Sequence, residues 1–250
     1  MFHVVSFFNT AVAQTENTDI PARPDDVLTI ANGHFLPQRD MQILFGYAAG
    51  TTINRARIVS PSNRQITLPF IRPTNLGLNP ITQQEIADYR ANPFTIRGLE
   101  ELAIEGTSDL PAVGDEDLNV ILGLQESFTP APRGNCFTMR FTSTTAAVAN
   151  QWTTLVPVFP DTLPQGVYSV IGLEYVAVVG TAARLIFDNQ TYRPGCIASV
   201  LIGNQAPAMF RKGGLGEWGR FTSTAPPTPQ VMNNTTTAVH TFFMDLVRVA

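Results

Sequence analysis

Short stretches of the chain alternate between apolar and polar residues with a period of two. In "CFTMRFT", Phe137, Met139 and Phe141 fall on one side while Thr138, Arg140 and Thr142 fall on the other. "LNVILGL" places Leu118, Val120, Leu122 and Leu124 together, and "AVHTFFMDLVRVA" groups Phe242, Met244 and Leu246. Successive side chains of a strand leave opposite faces, so this period predicts strands with one dry face. The runs are closed by Pro, Gly or Asn, and Thr occurs 28 times and Pro 19 times, a punctuation that predicts a sandwich or barrel. The clearest helical signal is "NPITQQEIADYRANP": Asn79 can cap it, Pro80 takes the first helical position and Pro93 stops it.

The apolar run "VYSVIGLEYVAVVGTAARLIF", Val167 to Phe187, is long enough to cross a bilayer. It carries Glu174 and Arg184, and Gly180-Thr181-Ala182 interrupts it like a hairpin turn, so two buried strands are predicted instead.

The pattern occurs twice. "FTIRGLEELAIEGTSDLP" can be laid on "FRKGGLGEWGRFTSTAP" with one gap opposite Gly106, matching Phe94 to Phe210, Gly98 to Gly214, Leu99 to Leu215, Glu101 to Glu217, Thr107 to Thr222, Ser108 to Ser223 and Pro111 to Pro226. A fainter match pairs Gly46 with Gly166, Val59 with Val179, Arg64 with Arg184 and Ile66 with Ile186, followed by Arg72-Pro73 and Arg193-Pro194. Such a long period exceeds any solenoid repeat and implies two complete modules. They join in the Pro-rich "QESFTPAPRGN", Gln125 to Asn135. The expected organisation is an N-terminal arm over 1–22, a first module over 23–128 and a second over 129–250. About 110 residues of antiparallel strand suits an eight-stranded jelly roll. The expected fold is therefore all-β, two tandem jelly-roll sandwiches with one or two short helices. An immunoglobulin-like sandwich fits the length, but Cys136 and Cys196 do not bracket a Trp as that fold requires.

Charge changes the functional picture. Charged residues make up 14% of the chain, against about 25% in a typical soluble protein. Lys212 is the single Lys beside fifteen Arg, a bias seen where surfaces press on other proteins. The net charge is -4 and the first cation is Arg23, so no basic arm exists to neutralise phosphates and direct nucleic-acid binding is not expected. "MFHVVSFF" lacks the basic start of a secretory signal and reads as an N-terminal arm. Two cysteines this far apart in sequence read as free thiols.

Candidate chemistry is sparse. "GLGEWG" spells G-x-G-x-x-G through Gly214, Gly216 and Gly219, but "RFTSTAPPTP" follows where a nucleotide site needs a helix, so tight turning beside Trp218 is expected. His3, His34 and His240 are scattered, without the clustered ligands of a cupin-type metal site. Glu101 and Glu217, at matched places, read as turn residues rather than paired catalytic carboxylates. Asp115, Glu116 and Asp117, with Asp109 and Asn119 nearby, can gather oxygens around Ca²⁺ but lack EF-hand spacing. Neither a G-x-S-x-G elbow, a Walker loop nor a C-x-x-C pair is present, and no enzyme is expected.

The duplicated β module, the Arg-over-Lys bias and the missing site chemistry resemble the double jelly-roll major capsid proteins of tailless icosahedral bacteriophages that enclose a membrane. The resemblance implies a homotrimeric, pseudo-hexagonal capsomer in the virion, assembled in the host cytoplasm, with self, a vertex protein and internal lipid as partners. Three copies of a two-module chain make six similar wedges, which tile a closed shell. The apolar Met1, Phe2, Phe7 and Phe8 are then candidates for a tether to a neighbouring subunit or to lipid. The competing reading is a carbohydrate- or receptor-binding β-sandwich of the spike or adhesin type, for which Trp152 and Trp218 are the Trp candidates. A two-module hydrolase would instead need an acidic cleft, with Glu100 or Glu101 essential.

Overall fold

The computed structural model describes residues 1–10, 18–50, 53–63, 70–71, 74–75, 86–108, 118–177, 179–199 and 207–250. These form β structure with two short 3-10 turns, Pro61–Asn63 and Ala208–Phe210, and no α-helix among the described residues. Contacts divide the chain into an amino-terminal unit, Val5–Glu126, and a carboxy-terminal unit made of Met1–Val4 with Ser127–Ala250.

Eight strands frame the amino-terminal unit, the first of them starting among the residues counted with the carboxy-terminal unit: β1 Phe2–Asn9, β2 Thr18–Ile20, β3 Met41–Gly50, β4 Ile53–Val59, β5 Phe70–Ile71, β6 Phe94–Ile96, β7 Ala103–Ser108 and β8 Leu118–Gln125. The short strands Thr29–Ala31 and His34–Leu36 pair with each other as a separate two-stranded sheet, and Thr74–Asn75 and Ala87–Asp88 add to β3. One sheet runs β1-β8-β3-β6, and a second runs β2-β7-β4-β5. Eight more frame the carboxy-terminal unit: β9 Cys136–Ser143, β10 Thr153–Thr154, β11 Val167–Val176, β12 Gly180–Ile186, β13 Gly195–Ser199, β14 Gly219–Thr222, β15 Thr228–Asn233 and β16 His240–Arg248. Here β9-β16-β11 continues into β14, and β10-β15-β12-β13 forms the other array. A short parallel contact, Tyr175↔Ala198 and Val176↔Ser199, joins the two arrays into one sheet. Adding eight to every strand number of the first unit reproduces the order of the second. The amino-terminal unit also has the parallel contact: Ala49↔Thr74 and Gly50↔Asn75 tie the end of β3 to the short strand Thr74–Asn75 just past β5.

The match extends to irregularities. In the β8–β3 ladder Gly123 faces Phe45 and Leu124 faces Ile43, so Leu44 is an extra, bulged residue. In the β16–β11 ladder Val170 faces Leu246 and Gly172 faces Asp245, which leaves Ile171 bulged. The second ladder of each unit repeats this, with Asn54 skipped on β4 and Thr181 skipped on β12. Each bulge on the first pair frees a carbonyl. Leu44 accepts the Tyr89 amide at 2.8 Å and Ile171 accepts the Gly213 amide at 2.6 Å.

Several expectations need correction. The sequence alignment set Gly46 on Gly166, whereas the strands set the start of β3, Met41, against Val167 at the start of β11, about half a dozen residues out of step. It also laid β7 on β14, whose counterpart is β6. Gly, Ser, Thr and Pro recur in any connection between strands, so their identities align without sharing a ladder position. Arg64, Ile66 and Arg72-Pro73 lie outside the described residues. The expected helix fails in its described part: Ala87–Asp88 is a strand paired with Phe45 and Gly46, and the chain turns at Arg90–Asn92, while residues 79–85 lie outside the described residues. Val167 to Phe187 does hold two strands, but β11 and β12 belong to different arrays and are not a hairpin; the turn precedes Gly180, whose amide bonds the Ala177 carbonyl.

Burial follows the pleat only in part. Met139 and Phe141 of β9 are buried while Thr138 and Arg140 are exposed, as alternation demands, but Phe137, expected on the dry side, is 39% exposed. All eight residues of β8 are buried, including the side expected to be wet. Gly123 explains how: a Cβ there would lie 2.1 Å from Phe45 Cε1, so the missing side chain makes room for the ring.

Candidate functional site

The N-terminal residues do not form a free arm. All of β1 but Asn9 is buried, and Phe2, Phe7 and Phe8 are 1%, 0% and 8% exposed. Phe2 meets Trp218 edge-on at 5.2 Å within the carboxy-terminal unit, where the Val4 amide also bonds the Arg193 carbonyl at 2.9 Å. Phe7 meets Phe35 edge-on at 5.1 Å, and the Arg23 guanidinium lies 5.8 Å over the Phe8 ring. The tether expected of Phe2, Phe7 and Phe8 is thus corrected: these rings are spent on packing, and only Met1, at 43% exposed, retains much surface. The Met1 ammonium itself bonds the Ser127 carbonyl.

The glycines of "GLGEWG" serve a turn. They follow the 3-10 turn Ala208–Phe210 and lead into strand β14, and among the described residues no helix N-terminus is at hand for a pyrophosphate. Gly216 has φ +78°, and a Cβ on it would lie 2.2 Å from the Thr129 carbonyl oxygen, so only glycine fits. Glu217 and Glu101 are not equivalent, since Glu217 precedes β14 and Glu101 precedes β7. Glu217 accepts Ser169 at 2.9 Å and Arg220, whereas Glu101 lies 3.5 Å from His34. Glu100 accepts the Ser62 hydroxyl at 2.6 Å. Asp109, Asp115, Glu116 and Asp117 lie outside the described residues. Among the described residues no group of three or more His, Cys, Asp or Glu is placed to hold a metal ion.

The densest polar cluster missed by sequence reasoning sits at the bulge of β11. Asp245 on β16 is fully buried and accepts Arg211 Nε at 2.7 Å, Thr138 Oγ1 at 2.7 Å and the Lys212 amide at 3.0 Å. Arg211 also pairs with Glu174. Burial alone would raise the Asp245 carboxyl, but the hydrogen bonds from Arg211, Thr138 and Lys212 outweigh it and hold the group below the usual carboxylate range. The cluster binds the turn after Phe210 to strands β11 and β16. Its only sequence signal is a lone Asp within the apolar run "FFMDLV".

A second buried network lies between β11 and β15. The Tyr175 hydroxyl bridges Asn233 Oδ1 at 2.8 Å and His240 Nδ1 at 3.0 Å, and His240 Nε2 faces the Thr145 carbonyl at 3.1 Å. Burial lowers the His240 pKa, and hydrogen bonds to Thr145 and Thr237 offset this only in part. Cys136 and Cys196 are both free; Cys196 is buried, which pushes its thiol pKa up, and Cys136 is exposed.

The aromatic surface for a glycan is limited. Trp218 is 1% exposed, and the Arg184 guanidinium covers Trp152 at 4.2 Å from the ring centre. A cavity of about 510 Å³ does open in the carboxy-terminal unit, lined by Met139, Phe159, Asp161, Gln165, Ser223 and Thr224 among others.

No family model, curated protein or solved structure matches the chain. Among the described residues no helix is long and apolar enough to cross a membrane.

Proposed function

We propose that each unit is a jelly roll and that the chain is the major capsid protein of a tailless icosahedral virus, working as a homotrimer in the virion wall. The observation that carries the reading is the strand order. A jelly roll interleaves eight consecutive strands so that the first, eighth, third and sixth share one sheet and the second, seventh, fourth and fifth share the other. With the short strands Thr29–Ala31, His34–Leu36, Thr74–Asn75 and Ala87–Asp88 of the first unit set aside, the pairing in both units is consistent with this order, and bulges at the same two places support the reading. Two like modules in tandem let three copies present six similar edges, and repeated contacts between such edges close a shell. Low charge and Arg in place of Lys suit a surface held against its neighbours. In this role the chain acts mechanically, without cofactor or catalysis, and a vertex protein and internal lipid remain its proposed partners. Electron microscopy of the purified chain tests the reading: discrete plates of near-hexagonal outline, or shells built from them, are expected, and a field of separate single chains contradicts it.

The cavity beside Phe159 favours one second reading, a glycan- or receptor-binding module, because an aromatic ring with Asp161, Gln165 and Ser223 around it offers both a stacking face and hydroxyl partners. A glycan-array screen with saturable binding, abolished by Phe159→Ala in a chain that stays monomeric, would favour it over the capsid reading.

A further inference from the structure

Strands β1 and β9 are counterparts of eight residues each, and their free edges differ. On β1 the third, fifth and seventh residues face outward from the sheet and all are met: the Val4 amide by the Arg193 carbonyl at 2.9 Å, the Ser6 carbonyl by the Arg23 amide at 2.9 Å, and the Phe8 amide by the Pro21 carbonyl at 3.0 Å. On β9 the seventh residue is met in the same way, with Thr142 and Val158 exchanging amide and carbonyl at 3.1 and 2.7 Å. Outward-facing groups recur every second residue along a strand, so those of Thr138 and Arg140 point to the same open side. Among the described residues no backbone group meets them there. Exposure agrees: Cys136 is exposed and Phe137 is 39% exposed, while their counterparts Phe2 and His3 are 1% and 0% exposed.

We infer that the edge of β9 from Cys136 to Arg140 pairs with backbone of a second copy of this chain. The segments at Pro21–Arg23 and Arg193 that close β1 are already engaged there, and the occupant follows from composition: a chain with 14% charged residues and a single Lys among sixteen cations presents surface suited to contact with its own copies. β9 itself has no Pro or bulge to turn a partner away, and its ladder to β16 is regular over all eight residues. The contact joins two different surfaces, head to tail, which is the kind that closes into a ring. This inference rests on the capsomer reading and deepens it by naming the surface.

Thr138→Pro tests it, because proline removes the outward amide while leaving the ladder to β16 intact. Thr138→Ala is the control: both variants lose the hydroxyl bond to Asp245, and only proline loses the amide. Sedimentation should show the proline variant dissociating at about tenfold higher concentration than the alanine variant, the factor expected for one hydrogen bond. In the wild-type chain, alkylation of Cys136 at alkaline pH should be several-fold slower in the oligomer than after dilution to single chains. If the wild type assembles but proline and alanine variants dissociate alike and Cys136 reacts equally in both states, the edge inference is overturned while the capsomer reading stands. A wild-type chain that stays single at every concentration overturns both. Should the proline variant fail to melt cooperatively, the Cys136 rates decide alone.

Discussion

Arg57 and Arg184 make the same contact in the two halves of the chain. Arg57 Nε donates to Glu105 Oε2 at 2.6 Å across the β4–β7 ladder, and Arg184 Nε donates to Gln230 Oε1 at 2.8 Å across the β12–β15 ladder. The surroundings have diverged. Arg57 and Glu105 are each 26% exposed, whereas Arg184 is 1% exposed, stacks on Trp152 and donates to the Val4 carbonyl at 3.1 Å.

Removing the two guanidinium groups should therefore have unequal effects. Arg57→Met breaks a partly solvated pair and should cost no more than about 1 kcal/mol. Arg184→Met leaves the buried oxygens of Gln230 and Val4 without that donor and should cost about 3 kcal/mol. Urea denaturation of both variants checks the order; equal losses would contradict it.

Asp245 should anchor its unit more strongly than any surface pair. Asp245→Ala removes the acceptor of Thr138 and the Lys212 amide and leaves Arg211 with Glu174 as its remaining carboxylate, and should cost about 3 kcal/mol, as for other pairs broken from one side. Its folded pKa lies below the usual 3.8, so the stabilisation is fully present above that value and is lost as pH falls through the lower folded value. Acid titration of wild type against Asp245→Asn should show the wild-type advantage shrinking below about pH 4.

His240 sets a milder pH dependence. Its folded pKa is lowered from 6.5, so the unfolded chain takes up the proton first and stability falls as pH drops below that value. His240→Gln should flatten this part of the profile, read as melting temperature between pH 7.5 and 5. An unchanged slope would place the titration elsewhere.

Truncation of the first four residues should act on folding rather than on tethering. Phe2 fills space against Trp218, and Phe2→Ala should cost about 3 kcal/mol or more, as for other buried rings. Calorimetry of Phe2→Ala and of the truncated chain should show a lowered transition, and an unchanged melt would restore the free arm.

Much of this was legible in the chain, but at the level of elements. The alternation in "CFTMRFT" and the grouping in "AVHTFFMDLVRVA" located β9 and β16. Register was not legible. It is set by which amide meets which carbonyl, and the bulges at Leu44 and Ile171 leave no residue type that marks them. "FHVVSFFN" misled because an uninterrupted apolar run signals a strand covered on both faces as readily as a sticky tail. The helix misled because Asp88 and Tyr89 satisfy their backbone against β3, a tertiary pairing that overrides local propensity.

The mass of the chain in solution bears most directly on the claim that two tandem modules exist to build a wall. Sedimentation equilibrium at micromolar concentration should return three times the 27.2 kDa of one chain, or a larger assembly made of such threes. A single 27.2 kDa species that persists as concentration rises would contradict the account.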